Sequence, residues 1–397
     1  MYFTQEEIRR FREDTPGAEN RIHLNNAGAG LMPRQVAAAI NDHIQLETMI
    51  GGYEAADKQK EAIGRFYTSA ATLFNCKPGE IAFTANATDS FDRAISSIPF
   101  EKGDVILTTN EDYTSNQITY LAFAKRFGIQ VVRVASLPSG GVDLNHFEEC
   151  LKQYKPRLAA ITHIPTSSGL IQPVNEIGRL CRQYNTLYLL DACQSVGQLP
   201  LDVKEIQCDF MSVTSRKFLR GPRGAGFLYV AEHVLQAGYE PLFIDMRGAD
   251  WIAENQYQPK PDATRFEDWE FAYALVLGTG AAIDYLLQLD QHKVERQVKY
   301  LSAYLRTGLQ TIPGVTTHDK GQEPGGLVTF HIQGKEPNAV KKELADRNIN
   351  AVTSHRNFSV IDFTEKKIDW AIRVSPHYYN TIGELDACVE AVKEIAG

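Results

Sequence analysis

From about residue 70 to about residue 230 the chain alternates short apolar runs with amphipathic stretches, and this alternation leaves few folds open. The runs are "DVILTT", "QVVRVA", "LAAITHI", "LYLLDA", "DFMSVTS" and "AGFLYV", and "NEIGRLCRQYN" is typical of what lies between them. Unbroken Val, Ile and Leu suit strands covered on both faces, because a strand with one wet face would alternate polar and apolar residues. Such strands, separated by helix-length segments, build an α/β fold with a mainly parallel sheet, here read as the seven-stranded type. Ligands of these sheets sit beyond the carboxyl ends of the strands. The residues just after each run are therefore the place to look for a site.

After about residue 235 the pattern changes. "FEDWEFAYALVLGTGAAIDYLLQL" and "HKVERQVKYLSAYLRTGLQ" read as long helices. They are followed by the strand "GGLVTFHI", a helix at "NAVKKELADRN", a strand pair "VIDF" and "WAIRVS", and a last helix. The expected division is a large domain over 20–255 and a smaller α+β C-terminal domain over 256–397, with segment 1–19 packing on the smaller one. A net charge of −8 argues against nucleic acid and anionic membrane as partners. "MYFTQEEIRRFRED" is a polar helix start without the apolar stretch of a signal peptide, which gives a cytoplasmic expectation. The six cysteines form no CxxC pair and read as reduced thiols, and no metal site is expected.

Asp191 closes "LYLLDA", a run otherwise apolar. A carboxylate there is costly unless it meets a cation, although a helix cap or a buried ion pair would also account for it. Gln194 follows three residues later. Lys217 comes after "DFMSVTSR", where burial and a neighbouring arginine favour its neutral, nucleophilic form; a solvated surface charge is the ordinary alternative. The combination matches one chemistry. Pyridoxal phosphate needs a lysine for its aldehyde, a carboxylate for the pyridine nitrogen and a donor for the ring hydroxyl, besides a flat group over the ring and a phosphate cup. "LLDACQ" and "SVTSRK" place the first three at neighbouring strand ends.

"DACQS" followed by "DFMSVTSRKFLRGPRGAGFLYV" resembles the class V aminotransferase branch of the fold-type I pyridoxal phosphate (PLP) enzymes, whose large domain is aspartate aminotransferase-like. The likeness runs from "HLNNAG" to "RVSPHYYNT", nearly the whole chain. It implies a Schiff base at Lys217, Asp191 on the pyridine nitrogen and Gln194 on the phenolic oxygen. "FTANATDS" resembles the family's phosphate turn, which implies Thr88 and the Ala87 amide on the phosphate; backbone N–H groups at a helix start favour that charge independently. Thr214 and Arg216 resemble the phosphate ligands before the lysine, with Arg216 where many relatives have histidine. "DYTSN" resembles the segment that stacks an aromatic on the ring, which implies Tyr113, with Asn116 beside the substrate. "WAIRVSPHYYNT" resembles the segment whose arginine, Arg373, grips the substrate α-carboxylate with its planar fork. The resemblance further implies an amino-acid substrate and a homodimer.

This branch includes cysteine desulfurases, selenocysteine lyases, isopenicillin-N-epimerase-like proteins and carbon–sulfur lyases, and departures from pattern narrow the choice. Desulfurases carry a mobile cysteine shortly before the Arg373 segment, but "NAVTSHRNFSVIDFTEKKIDWAIR" has none. Cys388 recurs with Leu385, Val389 and Val392 at helical spacing and reads as core. "IPTSSG" puts Thr166, a substrate-side position, where desulfurases have asparagine, and "RFEDWE" (Trp269, Glu270) replaces a turn that reaches the neighbouring subunit's phosphate. "MIGGYEA" (Tyr53, Glu54) and "TSHRNF" (His355, Arg356) are candidate substrate-side segments, while Arg220 and Arg223 suit either substrate or subunit interface. The favoured reading is a carbon–sulfur β-lyase acting on a cysteine conjugate or its sulfoxide. Alternatives are an aminotransferase or an amino-acid epimerase, the latter needing a second acid such as Tyr113 or His377. A catalytically silent binding protein of the same fold is the alternative from another class, and the intact Asp191, Gln194 and Lys217 argue against it.

Overall fold

The computed structural model describes residues 2–397. Seven strands form the large sheet, in the order Ile81–Thr84, Gly226–Val230, Phe210–Thr214, Leu187–Asp191, Leu158–Thr162, Val105–Thr108, Gln130–Arg133. Gly226–Val230 runs antiparallel to both neighbours and all other pairings are parallel. The expected mainly parallel sheet is therefore present, with its central strands buried at every position except the half-buried Leu187. The helix Ala87–Ser96 packs on Phe210–Thr214 and Gly226–Val230, and Tyr273–Leu287 packs on the helices Arg34–Ile50 and Lys60–Phe74. Their apolar side chains belong to one large core.

A second sheet of four antiparallel strands has the order Val315–Thr317, Val328–Ile332, Trp370–Val374, Val352–His355. One face of it packs with the helices Gln291–Gln310 and Ile382–Ala396 into a separate core that includes Leu305, Phe330, Ile372 and Cys388. Near the start of the chain, Ile22–His23 pairs parallel with Ile349–Asn350, which carries Leu24 into this second core. Phe3 and Phe11 belong instead to the first core and contact the Tyr378 ring. Among the described residues no helix is long and apolar enough to cross a membrane.

Two local expectations are corrected. "VIDF" is not a strand; Val360–Lys366 is a short helix, and Val352–His355 takes the place beside Trp370–Val374. Asp362 and Lys366, one turn apart, are bonded at 2.6 Å, a spacing only a helix brings together. The long helix expected from Phe266 begins at Tyr273. Glu267 prevents an earlier start: its carboxylate accepts from Arg247 Nε at 2.6 Å, Tyr67 Oη at 2.8 Å and Phe83 N at 2.8 Å, which pins the preceding chain to the large sheet.

His163, just after the strand Leu158–Thr162, is enclosed, and its Nδ1 has no partner among the described residues. Burial pulls its pKa down to about 3, and Lys299 acts in the same direction. The unfolded chain takes up this proton near the ordinary histidine value of about 6.5 and the folded chain does not until about 3, so stability falls as pH drops through that window. The stability advantage of the wild type over His163→Gln should therefore shrink as melts are repeated from pH 6.5 towards pH 4. A constant difference would exclude this source of acid sensitivity.

Candidate active site

The strand Leu187–Asp191 is apolar until its last residue, which delivers the Asp191 carboxylate to the carboxyl edge of the sheet. Its Oδ1 accepts from Cys193 N at 2.9 Å and its Oδ2 from Asn116 Nδ2 at 3.0 Å. The neighbouring strand Phe210–Thr214 ends in the turn that carries Arg216 and Lys217, closed by Gly221 N donating to Ser215 O at 2.8 Å. Lys217 is buried, its Nζ lies 5.8 Å from the Tyr113 ring centroid, and no described residue accepts a hydrogen bond from it. Burial lowers its pKa; Arg216 and Arg373 press the same way, against Cys193 and Asp191. A lysine in that state is a usable nucleophile and base.

These residues border one cavity of about 330 Å³. Ala87, Thr88, Tyr113, Asn116, Thr166, Asp191, Gln194, Thr214, Arg216 and Lys217 all line it, as does Arg223. One end is formed by the start of the helix Ala87–Ser96, where Asn86 caps Asp89 N at 3.0 Å. Gly226 is required there, because a Cβ would stand 2.6 Å from Asn86 C and 2.8 Å from Ala87 N. Arg216 bonds the Gly28 carbonyl, and burial together with Arg223 lowers its pKa. Arg223 is exposed at the cavity, with no hydrogen bond or ion pair to any described residue. A helix N-terminus facing two guanidinium groups without a carboxylate is a receptor for an anion.

Arg373 does not line the cavity; it stands behind Thr166, with Nη1 3.5 Å from the Thr166 carbonyl. It is buried, its Nε has no partner among the described residues, and burial pulls its pKa down to about 10, helped by Arg216. Gln194 donates Nε2 to Ala27 O at 3.1 Å, keeps a second hydrogen, and has an unpartnered Oε1. The Asn116 amide assigned to the substrate is instead engaged with acids: Nδ2 donates to Asp112 at 3.1 Å as well as to Asp191.

Several other candidates lie away from the cavity. Tyr53, Glu54, His355, Arg356, Trp269 and Glu270 do not border it. Arg220 serves neither substrate nor an exposed interface. It is buried, donates to Leu31 O, Tyr378 Oη and Thr15 Oγ1, and lies 4.5 Å from the Tyr379 ring centroid. His377 is buried, bonded to Phe218 O at 2.8 Å, and held neutral chiefly by burial, so it offers no second acid. Sequence reasoning overlooked Asn86, Thr162, Ile164 and Cys193 as lining residues. Cys193 stood in the quoted "LLDACQ", where a site role was readable from its neighbours.

A lysine and a carboxylate on adjacent strand ends, facing an anion cup across a mainly parallel seven-stranded sheet, define the fold-type I PLP architecture. The family described as aminotransferase class-V matches residues 22–388. The probable cysteine desulfurase of Methanothermobacter thermautotrophicus is 28% identical over 403 residues, covering 100% of this chain and 99% of the relative. The solved cysteine desulfurase of Thermococcus onnurineus NA1 superposes with a TM-score of 0.90 at 23% identity, covering 100% of this chain and 99% of that one. The cystine C–S lyase C-DES, solved with its reaction product cysteine persulfide, superposes with a TM-score of 0.85 at 24% identity, covering 96% and 99%. The chain belongs to the class V aminotransferase family, a family of PLP-dependent enzymes. The free second Nε2 hydrogen of Gln194, the buried unpartnered Arg373 Nε, and Arg216, which has no carboxylate partner, fit that cofactor and an amino-acid carboxylate.

Five cysteines are buried and Cys76 is half-buried. Burial raises the thiol pKa of all six, to about 12 for Cys76 and Cys388. At neutral pH the folded protein should therefore resist alkylation by iodoacetamide, with all six thiols labelled only in denaturant. Rapid labelling of any one thiol in the native protein, read by mass spectrometry, would contradict this.

Proposed function

We propose that the protein is a PLP-dependent carbon–sulfur β-lyase acting on cysteine conjugates or their sulfoxides. The observation that favours a lyase over the desulfurases named among its relatives is the segment ahead of the Arg373 strand. It has no cysteine, and it is moored. Ser359 Oγ donates to Ser167 Oγ at 3.2 Å, Thr114 Oγ1 donates to Phe358 O, and Lys366 Nζ donates to Ser167 O at 3.1 Å. Lys320 joins Glu111 at 3.3 Å, Asp362 at 3.0 Å and Glu365 at 3.0 Å, so the cation among these three carboxylates is a lysine. These bonds and ion pairs tie the segment to Ser167, Thr114, Glu111 and Lys320. A desulfurase needs a thiol delivered to the substrate sulfur. Cys193, in the cavity wall, keeps its proton because of burial and Asp191.

Bound PLP supplies an electron sink that makes the α-hydrogen of an attached amino acid acidic. Lys217 holds the cofactor aldehyde and, once displaced, takes the proton from Cα. Asp191 stabilises a protonated ring nitrogen, Gln194 offers its second Nε2 hydrogen to the ring oxygen, and Tyr113 covers the ring face. Ala87 N–H, Thr88, Thr214 and Arg216 cup the phosphate. Arg373 receives the substrate α-carboxylate, with Thr166 on the same side and Asn116 on the ring side. The β-sulfur group leaves with the electrons of the Cβ–S bond and takes up a proton as a thiol or sulfenic acid, and water hydrolyses the enamine that is released to pyruvate and ammonium. The exposed apolar Phe243, Met246 and Trp251 suit a second copy of the chain as partner.

Two variants test the assignments. Arg373→Leu should raise KM by about two orders of magnitude, because a buried guanidinium–carboxylate contact is lost. Arg216→Gln should weaken PLP about tenfold or more while leaving phosphate-free pyridoxal nearly unaffected, measured by titration of the apoprotein. The reaction itself is decided by incubating the yellow holoenzyme with amino acids, including S-substituted cysteines, and identifying products. Pyruvate with ammonium supports the lyase. Alanine with released sulfur would establish a desulfurase, a matching keto acid an aminotransferase, and racemised amino acid an epimerase.

A further inference from the structure

Asp112 lies between the strand Val105–Thr108 and the helix Thr114–Phe127, immediately before Tyr113, and is buried. Its carboxylate collects Tyr113 N at 2.6 Å, Gln117 Nε2 at 2.9 Å, Asn116 Nδ2 at 3.1 Å and Thr108 Oγ1 at 3.3 Å, together with Thr162 Oγ1. Asn116 Nδ2 also donates to Asp191 Oδ2 at 3.0 Å, so a single amide nitrogen bridges two buried carboxylates. An NH₂ group has two hydrogens, and each goes to one acid.

A local turn at the helix start alone would explain the bonds to Tyr113 N and Gln117 Nε2. It would not explain Thr162, which comes from another strand, nor the bridge to Asp191. Nor does such a turn require an ionisable group beside a second buried acid, where burial and the Asp191 charge both raise its pKa. Five donors converge on it nonetheless, so its oxygens serve as acceptors. An asparagine amide can present either end, and an acceptor-only neighbour compels it to turn nitrogen towards both acids.

We infer that Asp112 is a positioning residue for the cofactor ring. Through Asn116 it fixes Asp191 on the ring-nitrogen side, and through the Tyr113 amide it fixes the phenol over the ring face. One carboxylate thus coordinates two contacts with the ring without touching it. The inference rests on the functional reading above, specifically on PLP occupying this cavity.

The test uses protein reconstituted with PLP and compares wild type, Asp112→Asn, Asn116→Ala and the double variant. The readouts are PLP affinity, the visible circular dichroism of the bound cofactor, and Tm. Asp112→Asn should weaken PLP about tenfold and diminish the visible dichroism. Asn116→Ala should reproduce most of both effects, and the double variant should add little. A lowered Tm with affinity and dichroism unchanged would reduce Asp112 to a structural tie at the helix start and overturn the inference. If Asp112→Asn does not fold, Asn116→Ala carries the test, because it keeps the other four bonds to Asp112; wild-type affinity and dichroism in that variant would overturn the inference. A wild type that binds no PLP would remove the functional reading and this inference together, whereas a yellow wild type with unaltered variants removes the inference alone.

Discussion

An amine without a partner, set in the wall of the cavity, is the constraint around which this structure is organised. Lys217 has no acceptor for its ammonium protons among the described residues, and Arg216 and Arg373 add positive charge near it. Among the side chains that border the cavity, Asp191 alone is a carboxylate. Such an arrangement is unfavourable by itself, since burial penalises each charge and like charges repel. It becomes favourable when anions arrive. A phosphate at the helix start and a carboxylate at Arg373 would relieve most of the imbalance, so ligand binding and local stability are linked.

The sheet makes this arrangement possible. Parallel strands bring Asp191, Thr162 and the Lys217 turn to one edge, because each strand ends in the same direction as its neighbour. The antiparallel strand Gly226–Val230 then brings its own start against the first turn of the helix Ala87–Ser96, and only glycine leaves room there. From the second core, Arg373 is presented by a strand whose alternate residues, Ile372 and Val374, face inward. The helix Gln291–Gln310 gives Val294 and Val298 to the first core and Leu301 and Leu305 to the second, and the ion pairs of Lys320 with Glu111 and Asp362 add a polar link.

The sheet and the residues at its strand ends were legible because an uninterrupted apolar run leaves its terminal Asp191 conspicuous. The same holds for Lys217 after "DFMSVTSR". Arg373 was legible only through resemblance, since an arginine on a short strand has many uses. Asp112 was not legible as a hub. "TTNEDYTSN" is polar throughout, and an acid in a polar stretch looks solvated until the fold sets Thr162, 50 residues away in sequence, against it. "VIDF" misled because four residues cannot reveal their period, and the Asp362–Lys366 bond that identifies the helix lies partly beyond them. The late helix start at Tyr273 has a similar origin: Glu267 is held by Arg247, Tyr67 and Phe83, none of them near it in sequence.

Arg220 has a practical bearing on how the protein is handled. Its guanidinium ties the backbone three residues beyond Lys217 to Thr15 and Leu31 on one side and to Tyr378 on the other, residues far apart in sequence. Trimming that removes Thr15 or Tyr378 would release one tether of the loop that carries Lys217. A lost or faded yellow colour in a trimmed version would then report mechanical slack transmitted through this clamp.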